Sequence, residues 1–153
     1  MANPNSVNSH DGLTELWVHE TMRVFHDRLI NEEDRLWVKK QIYQQVSENF
    51  KLRGEYEDYF NSENTIMFGD FIKFGLPLED RKYDKIASFD ILEKTMYKYI
   101  EAYNIDYPEQ KMDLVLFKEA LGHLTRICRI LRQDRGNGLL VGVGGCGIDF
   151  RHK

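Results

Sequence analysis

Close to its C-terminus the chain reads Leu139-Leu140-Val141-Gly142-Val143-Gly144-Gly145-Cys146-Gly147. No other stretch limits the possible folds so strongly. A short continuous apolar run of this kind fits a strand buried on both faces of a parallel sheet. The rest of the chain reads as mainly helical, so the strand has no parallel sheet to enter here. Its backbone groups should be wet, and the region after Gly136, with the N-terminal tail, should be the least ordered. The expected fold is mainly α: a helical hairpin, further helices, and a short C-terminal strand leading into a glycine loop.

Gly142 and Gly147 have the G-x-x-x-x-G spacing of a phosphate-binding loop. Glycines let successive backbone N–H groups turn inward around a phosphate, and a following helix adds its positive end. The full motif continues with Lys, which reaches the β- and γ-phosphates, and then with a Ser or Thr that holds Mg²⁺. Here Ile148 and Asp149 stand at those places, and Asp149 repels phosphate. On its own residues the loop reads as a remnant that binds nothing.

Periodicity places the helices. Leu13, Leu16, Trp17, Val24, Phe25 and Leu29 predict a first helix over 13–29. Asn31, followed by Glu32, Glu33 and Asp34, reads as the cap and acidic first turn of a second, running to about Phe50. The connection is very short, so the two should form a hairpin. Residues 55–82 read as an irregular connector with one extended piece, Thr65 to Phe68, and its length marks a boundary between two units. Ser88 caps a third helix, which Tyr107-Pro108 stops. A fourth is expected after Asp113, with Leu114, Phe117, Leu121, Leu124, Cys128 and Leu131 on its apolar face. Arg126, Arg129 and Arg132 ride on its other faces, and Gly136-Asn137-Gly138 is a stop and turn.

The charge balance excludes some functions. With 21 Lys and Arg against 25 Asp and Glu, the net charge is -4, a poor match to a nucleic-acid backbone. No stretch approaches the roughly 18 apolar residues of a membrane helix. The 2 cysteines, Cys128 and Cys146, are too few for a disulfide scaffold. Cys128 should be a buried thiol and Cys146 an exposed one. His19-Glu20-Thr21-Met22-Arg23 is one residue short of a zinc-protease helix, because Arg23 stands where a second His is needed. No metal site and no catalytic residue is expected. Arg23 is of more interest as a phosphate-facing arginine. His26, Asp27 and His123 read as ordinary packing or surface residues.

The order of these segments resembles one family. Leu16-Trp17-Val18-His19-Glu20 followed by Arg23-Val24-Phe25-His26-Asp27-Arg28-Leu29 resembles the helical lid of the third AAA+ module of dynein heavy chains. Asn104, Met112 to Phe117, Ala120 to Leu124, and Gly136-Asn137 through Gly147 resemble the start of the fourth module. The resemblance covers about Leu13 to Gly147, and the sequence diverges from the family's continuation at Ile148 to Lys153.

The resemblance implies a domain plan: a tail over 1–12, a lid-like hairpin over 13–54, a connector over 55–82, the beginning of the fourth module over 83–147, and a divergent tail over 148–153. It implies a slice of an ATP-driven, minus-end-directed microtubule motor of cilia, flagella and cytoplasm, with an axonemal parent favoured. Gly142, Val143, Gly144, Gly145, Cys146 and Gly147 would be its incomplete phosphate loop, and Arg23 a lid arginine facing nucleotide. ATP and Mg²⁺ serve the parent family, but the chain alone is expected to bind neither and to be non-catalytic. Its partners would be the rest of the ring, dynein light and intermediate chains and microtubules, with self-association through exposed faces, and neither nucleic acid nor membrane. The competing expectation is a helical protein-interaction module that uses the faces of Leu13–Phe50 and Phe89–Leu131.

Overall fold

The computed structural model describes residues 4–5, 7–50, 54–60 and 66–141. Helix α1 spans His10–Thr21 and runs on into a π-helical turn at Met22–His26. Then come α2 (Glu32–Asn49), α3 (Tyr56–Phe60), β1 (Met67–Gly69), β2 (Asp84–Ile86), α4 (Phe89–Asp106) and α5 (Lys118–Arg132). Strands β1 and β2 pair antiparallel, with Phe68 opposite Lys85. Mainly helical architecture is what the periodicity predicts.

Local signals set most boundaries. The side chain of Ser9 accepts from Gly12 N at 3.0 Å, so α1 starts at His10, ahead of the expected Leu13. Asn31 accepts from Glu33 N and Ser88 from Ile91 N, which opens α2 and α4 where expected. The fourth helix begins later than predicted. The Asn104 amide clamps Met112 by two hydrogen bonds, accepting its N–H at 2.7 Å and donating to its carbonyl at 2.9 Å. That clamp holds the chain extended, and Leu114 and Phe117 stay outside the helix and exposed. The helix ends at Arg132, and Arg135 at φ 57° makes the turn ahead of Gly136.

The core has two parts. In one, Val18, Ile42 and Val46 pack with Trp17, Met22, Tyr59, Phe60 and Ile66 between α1, α2 and α3. In the other, Met67, Phe71, Ile86, Leu92, Met96 and Leu121 pack between the sheet, α4 and α5. Strand β1 joins them, because neighbouring strand residues point to opposite faces. Ile66 enters the first part and Met67 the second. Phe68 stacks on Tyr83 at 5.9 Å and lies 5.3 Å from His19.

Three expectations change here. The buried face of the first helix is Thr14, Val18 and His19, whereas Leu13, Val24 and Phe25 are exposed. The π turn shifts the register after Thr21, so a uniform 3.6-residue period fails across it. The connector is more structured than an irregular loop: Met67, Phe68 and Phe71 are buried, and β1 reaches past it to β2. Leu139 to Val141 form no strand and are exposed, Leu139 by 89%, as a lone strand without a sheet should be. Gly142 to Gly147 and the divergent tail lie outside the described residues.

Candidate functional site

The strongest concentration of chemistry lies where α1 and its π turn meet α5 and the sheet. Arg126, Arg129 and Arg132 recur every third residue, so they form one row along α5. Each meets an acid from another element. Arg126 Nε is 3.2 Å from Asp27 Oδ2. Arg129 grips both carboxylate oxygens of Glu20. Arg132 binds Asp70, in the turn after β1, and its guanidinium lies over the Tyr83 ring.

Beside Glu20 lies a buried chain of polar groups. His19 is only 3% exposed. Its Nδ1 is 3.0 Å from the Ile66 carbonyl, which can only accept, so Nδ1 carries the proton. Its Nε2 is 3.0 Å from the Tyr83 hydroxyl, which also lies 3.1 Å from Glu20 Oε1. Burial lowers the His19 pKa to about 4, with the nearby Arg23 and Arg129 adding to the effect against the pull of Ile66 and Glu20. The imidazole is therefore neutral at pH 7, and its Nε2 accepts from Tyr83. Burial pushes the Glu20 carboxyl up, but Arg129 outweighs it and holds that carboxyl below its usual range. Burial and Glu20 raise the Tyr83 phenol well above its ordinary value.

Arg23 sits in the π turn with its side chain 9% exposed. Its Nε is 2.9 Å from Asp27 Oδ2, the oxygen that Arg126 also approaches. Burial and the neighbouring Arg126 and Arg129 lower its pKa against the pull of Asp27. Beside these groups is a cavity of about 220 Å³, lined by His19, Arg23, His26, Lys39, Tyr59 and Arg126 among others. Burial, with Lys39 close by, lowers the His26 pKa as well.

The expected site residues fare differently. Arg23 is buried beside an anion and other cations, an environment apart from that of a solvated helix arginine. The six residues of the glycine loop, Gly142 to Gly147, lie outside the described residues. Cys128 packs against the core, and burial pushes its thiol up to about 11, as a structural cysteine requires. No group of three or more His, Cys, Asp or Glu that could hold a metal occurs among the described residues. His19, Glu20, Asp27, Tyr83 and the arginine row carry no site role in the sequence pattern alone. The three-residue spacing of the arginines was a visible signal, but their acids lie as far as 109 residues away in sequence.

Comparison with known proteins shows the family. Residues 1–35 match the family model "Dynein heavy chain, ATPase lid domain". Residues 112–150 match "P-loop containing dynein motor region D4". Dynein axonemal heavy chain 6 of Homo sapiens is 39% identical over 144 residues, 94% of this chain and 3% of the relative. Dynein axonemal heavy chain 1 of Homo sapiens is 41% identical over 150 residues, 96% of this chain and 3% of the relative. Dynein axonemal heavy chain 12 of Rattus norvegicus is 36% identical over 152 residues, 93% of this chain and 5% of the relative. The chain thus spans 3–5% of the length of these relatives. The lid match begins at residue 1, so it includes the segment expected to be a tail.

Proposed function

Because this chain belongs to the dynein heavy-chain family, we propose that it is the joint by which the lid of one ring module is fastened to the beginning of the next. One observation carries this reading: the three arginines of α5, inside the second matched region or reached by it, each pair with an acid of an earlier element. Glu20 and Asp27 belong to the lid match, and Asp70 to the turn after β1. Charge pairs of this kind fix the angle between packed elements, while the apolar core supplies most of the stability.

In the whole protein the joint would serve an ATP-driven microtubule motor of the axoneme, with the remaining ring, light and intermediate chains and the microtubule as partners. Arg23 would be the lid residue that answers to nucleotide phosphates; its buried, cation-rich setting supports that role. Gly142 to Gly147 would be the phosphate loop of the following module. The donor set after that loop does not suit hydrolysis of Mg-ATP. Ile148 has no charge for the β- and γ-phosphates, and Asp149 has no hydroxyl for the metal and repels phosphate. No catalytic step is assigned to this chain.

Amide hydrogen exchange tests the joint. Arg129→Gln should raise exchange in α1 as well as in α5, whereas Lys40→Gln on the exposed face of α2 should raise neither. If Arg129→Gln disturbs α5 alone, the joint reading fails. A fluorescent ATP analogue titrated beside an Ile148→Lys variant tests the loop. Saturable binding by the native chain would show that the glycines suffice without the lysine. A second reading, a helical interaction module, is favoured by the exposed Leu36 and Trp37 on α2.

A further inference from the structure

The cavity beside the π turn has an unusual charge pattern. Arg23, Lys39 and Arg126 line it with His19 and His26, and no carboxylate does. The nearest acid, Asp27, stands behind two of these cations and holds both with one oxygen. The fit is incomplete. Both Nε atoms are within ion-pair distance of Asp27 Oδ2, yet neither finds a hydrogen-bonded partner among the described residues. Both ring nitrogens of His26 are buried without a hydrogen bond of ordinary length; Nδ1 lies 3.6 Å from the other oxygen of Asp27, Oδ1, while Nε2 has no acid beside it among the described residues. Buried donors without acceptors are costly, and a cluster of them facing a space of about 220 Å³ is built to receive oxygens.

We infer that this cavity is an anion site for a phosphate-type group, and that Asp27 is its internal competitor. A tetrahedral oxyanion offers several acceptor oxygens and can meet Arg23, Arg126 and Lys39 together, with a protonated nitrogen of His26 completing the set. Asp27 supplies one oxygen to two of them. An anion that takes Arg126 weakens its pair with Asp27, which is one of the two fastenings between the lid and α5. Anion binding and the tightness of the joint are thus opposed, by linkage, whichever event comes first. The inference goes beyond the joint itself and does not require Arg23 to meet a nucleotide. Arg129→Gln, the test of the joint, leaves every cavity residue in place, so the two readings fail separately.

Inorganic phosphate titrated into the full chain at constant ionic strength, with chloride as the control salt, provides the test. NMR follows the His26 ring and the arginine side chains. The expected result is saturable shifts centred on His26 with phosphate and not with chloride, accompanied by faster amide exchange at the seam of the π turn and α5. Lys39→Gln and Arg126→Gln should each weaken binding about tenfold, and Asp27→Asn should tighten it. Equal shifts from both salts, or an Asp27→Asn chain that binds phosphate no better, overturn the proposal. Should Asp27→Asn fail to fold, Lys39→Gln at the cavity wall decides: unchanged phosphate affinity in that variant also overturns it.

Discussion

Tyr83 has one hydroxyl proton and two acceptors within reach, His19 Nε2 and Glu20 Oε1. While His19 is neutral the hydroxyl proton is shared between its Nε2 and Glu20 Oε1, and Arg129 also holds Glu20. Tyr83→Phe removes that donor and leaves a buried ring nitrogen unpaired, at a cost of about 1–3 kcal/mol in urea unfolding. His19 also makes stability depend on pH. Its pKa is about 4 in the fold against 6.5 for an unperturbed histidine. Between those values the unfolded chain takes up the extra proton, so stability falls as pH drops through the window and levels off below it. The His19 share is on the order of 2–3 kcal/mol. Urea unfolding across that window should show the slope, and His19→Gln should remove this share while the one from His26 remains. A slope unchanged in His19→Gln would refute the assignment. None of this was legible from the residues alone. His19 reads as half of an incomplete zinc motif, and it is buried because β1, inside the connector, and Tyr83, just after it, close over it.

The elements were legible wherever their ends are made of local chemistry. Asn31, Ser88 and the Tyr107-Pro108 stop each act within a turn of the backbone, and each lies where the structure has it. Ser88→Ala should cost about 1 kcal/mol through loss of the bond to Ile91 N, seen as a lower thermal midpoint. At the other end of the helical region, a Cβ at Gly136 would sit 1.8 Å from the Ile130 carbonyl oxygen, a backbone atom that cannot yield. Gly136→Ala should therefore unwind the last turn of α5, measurable as faster amide exchange at Ile130 to Arg132, whereas Gly122→Ala, where the space is open, should leave it intact. Two helices depart from their uniform periodic reading. The start of α5 is delayed by the Asn104 clamp, and the register of the first helix shifts at the π turn.

Across the whole molecule, the two core clusters are joined by β1 and fastened by the α5 arginines. Leu92 is fully buried where the sheet, α4 and α5 meet. Leu92→Ala should cost about 2–5 kcal/mol, read as a loss in the urea midpoint with little change in slope. The surface carries large apolar side chains away from these cores: Ile30, Trp37, Val115 and Val141 are all more than half exposed. The isolated chain should therefore self-associate and bind a hydrophobic dye, and Trp37→Gln should reduce both. Sedimentation of the chain as a single monomeric species without dye binding would contradict this.

By itself the sequence determined the four long helices in outline, the caps of α2 and α4, the stop at Tyr107-Pro108, and the kinship to one family of motors, because capping, turn formation and apolar periodicity act over a few residues. It also determined that the apolar run before Gly142 would find no sheet here. The tertiary structure alone decided which acid faces each arginine of α5, that His19 is buried and neutral, and that Arg23, Lys39 and Arg126 share one cavity. The arginine pairings need residues 62 to 109 positions apart to meet. Which of many acids a given arginine meets follows from how the packed elements are oriented, and no local pattern of charge encodes that orientation.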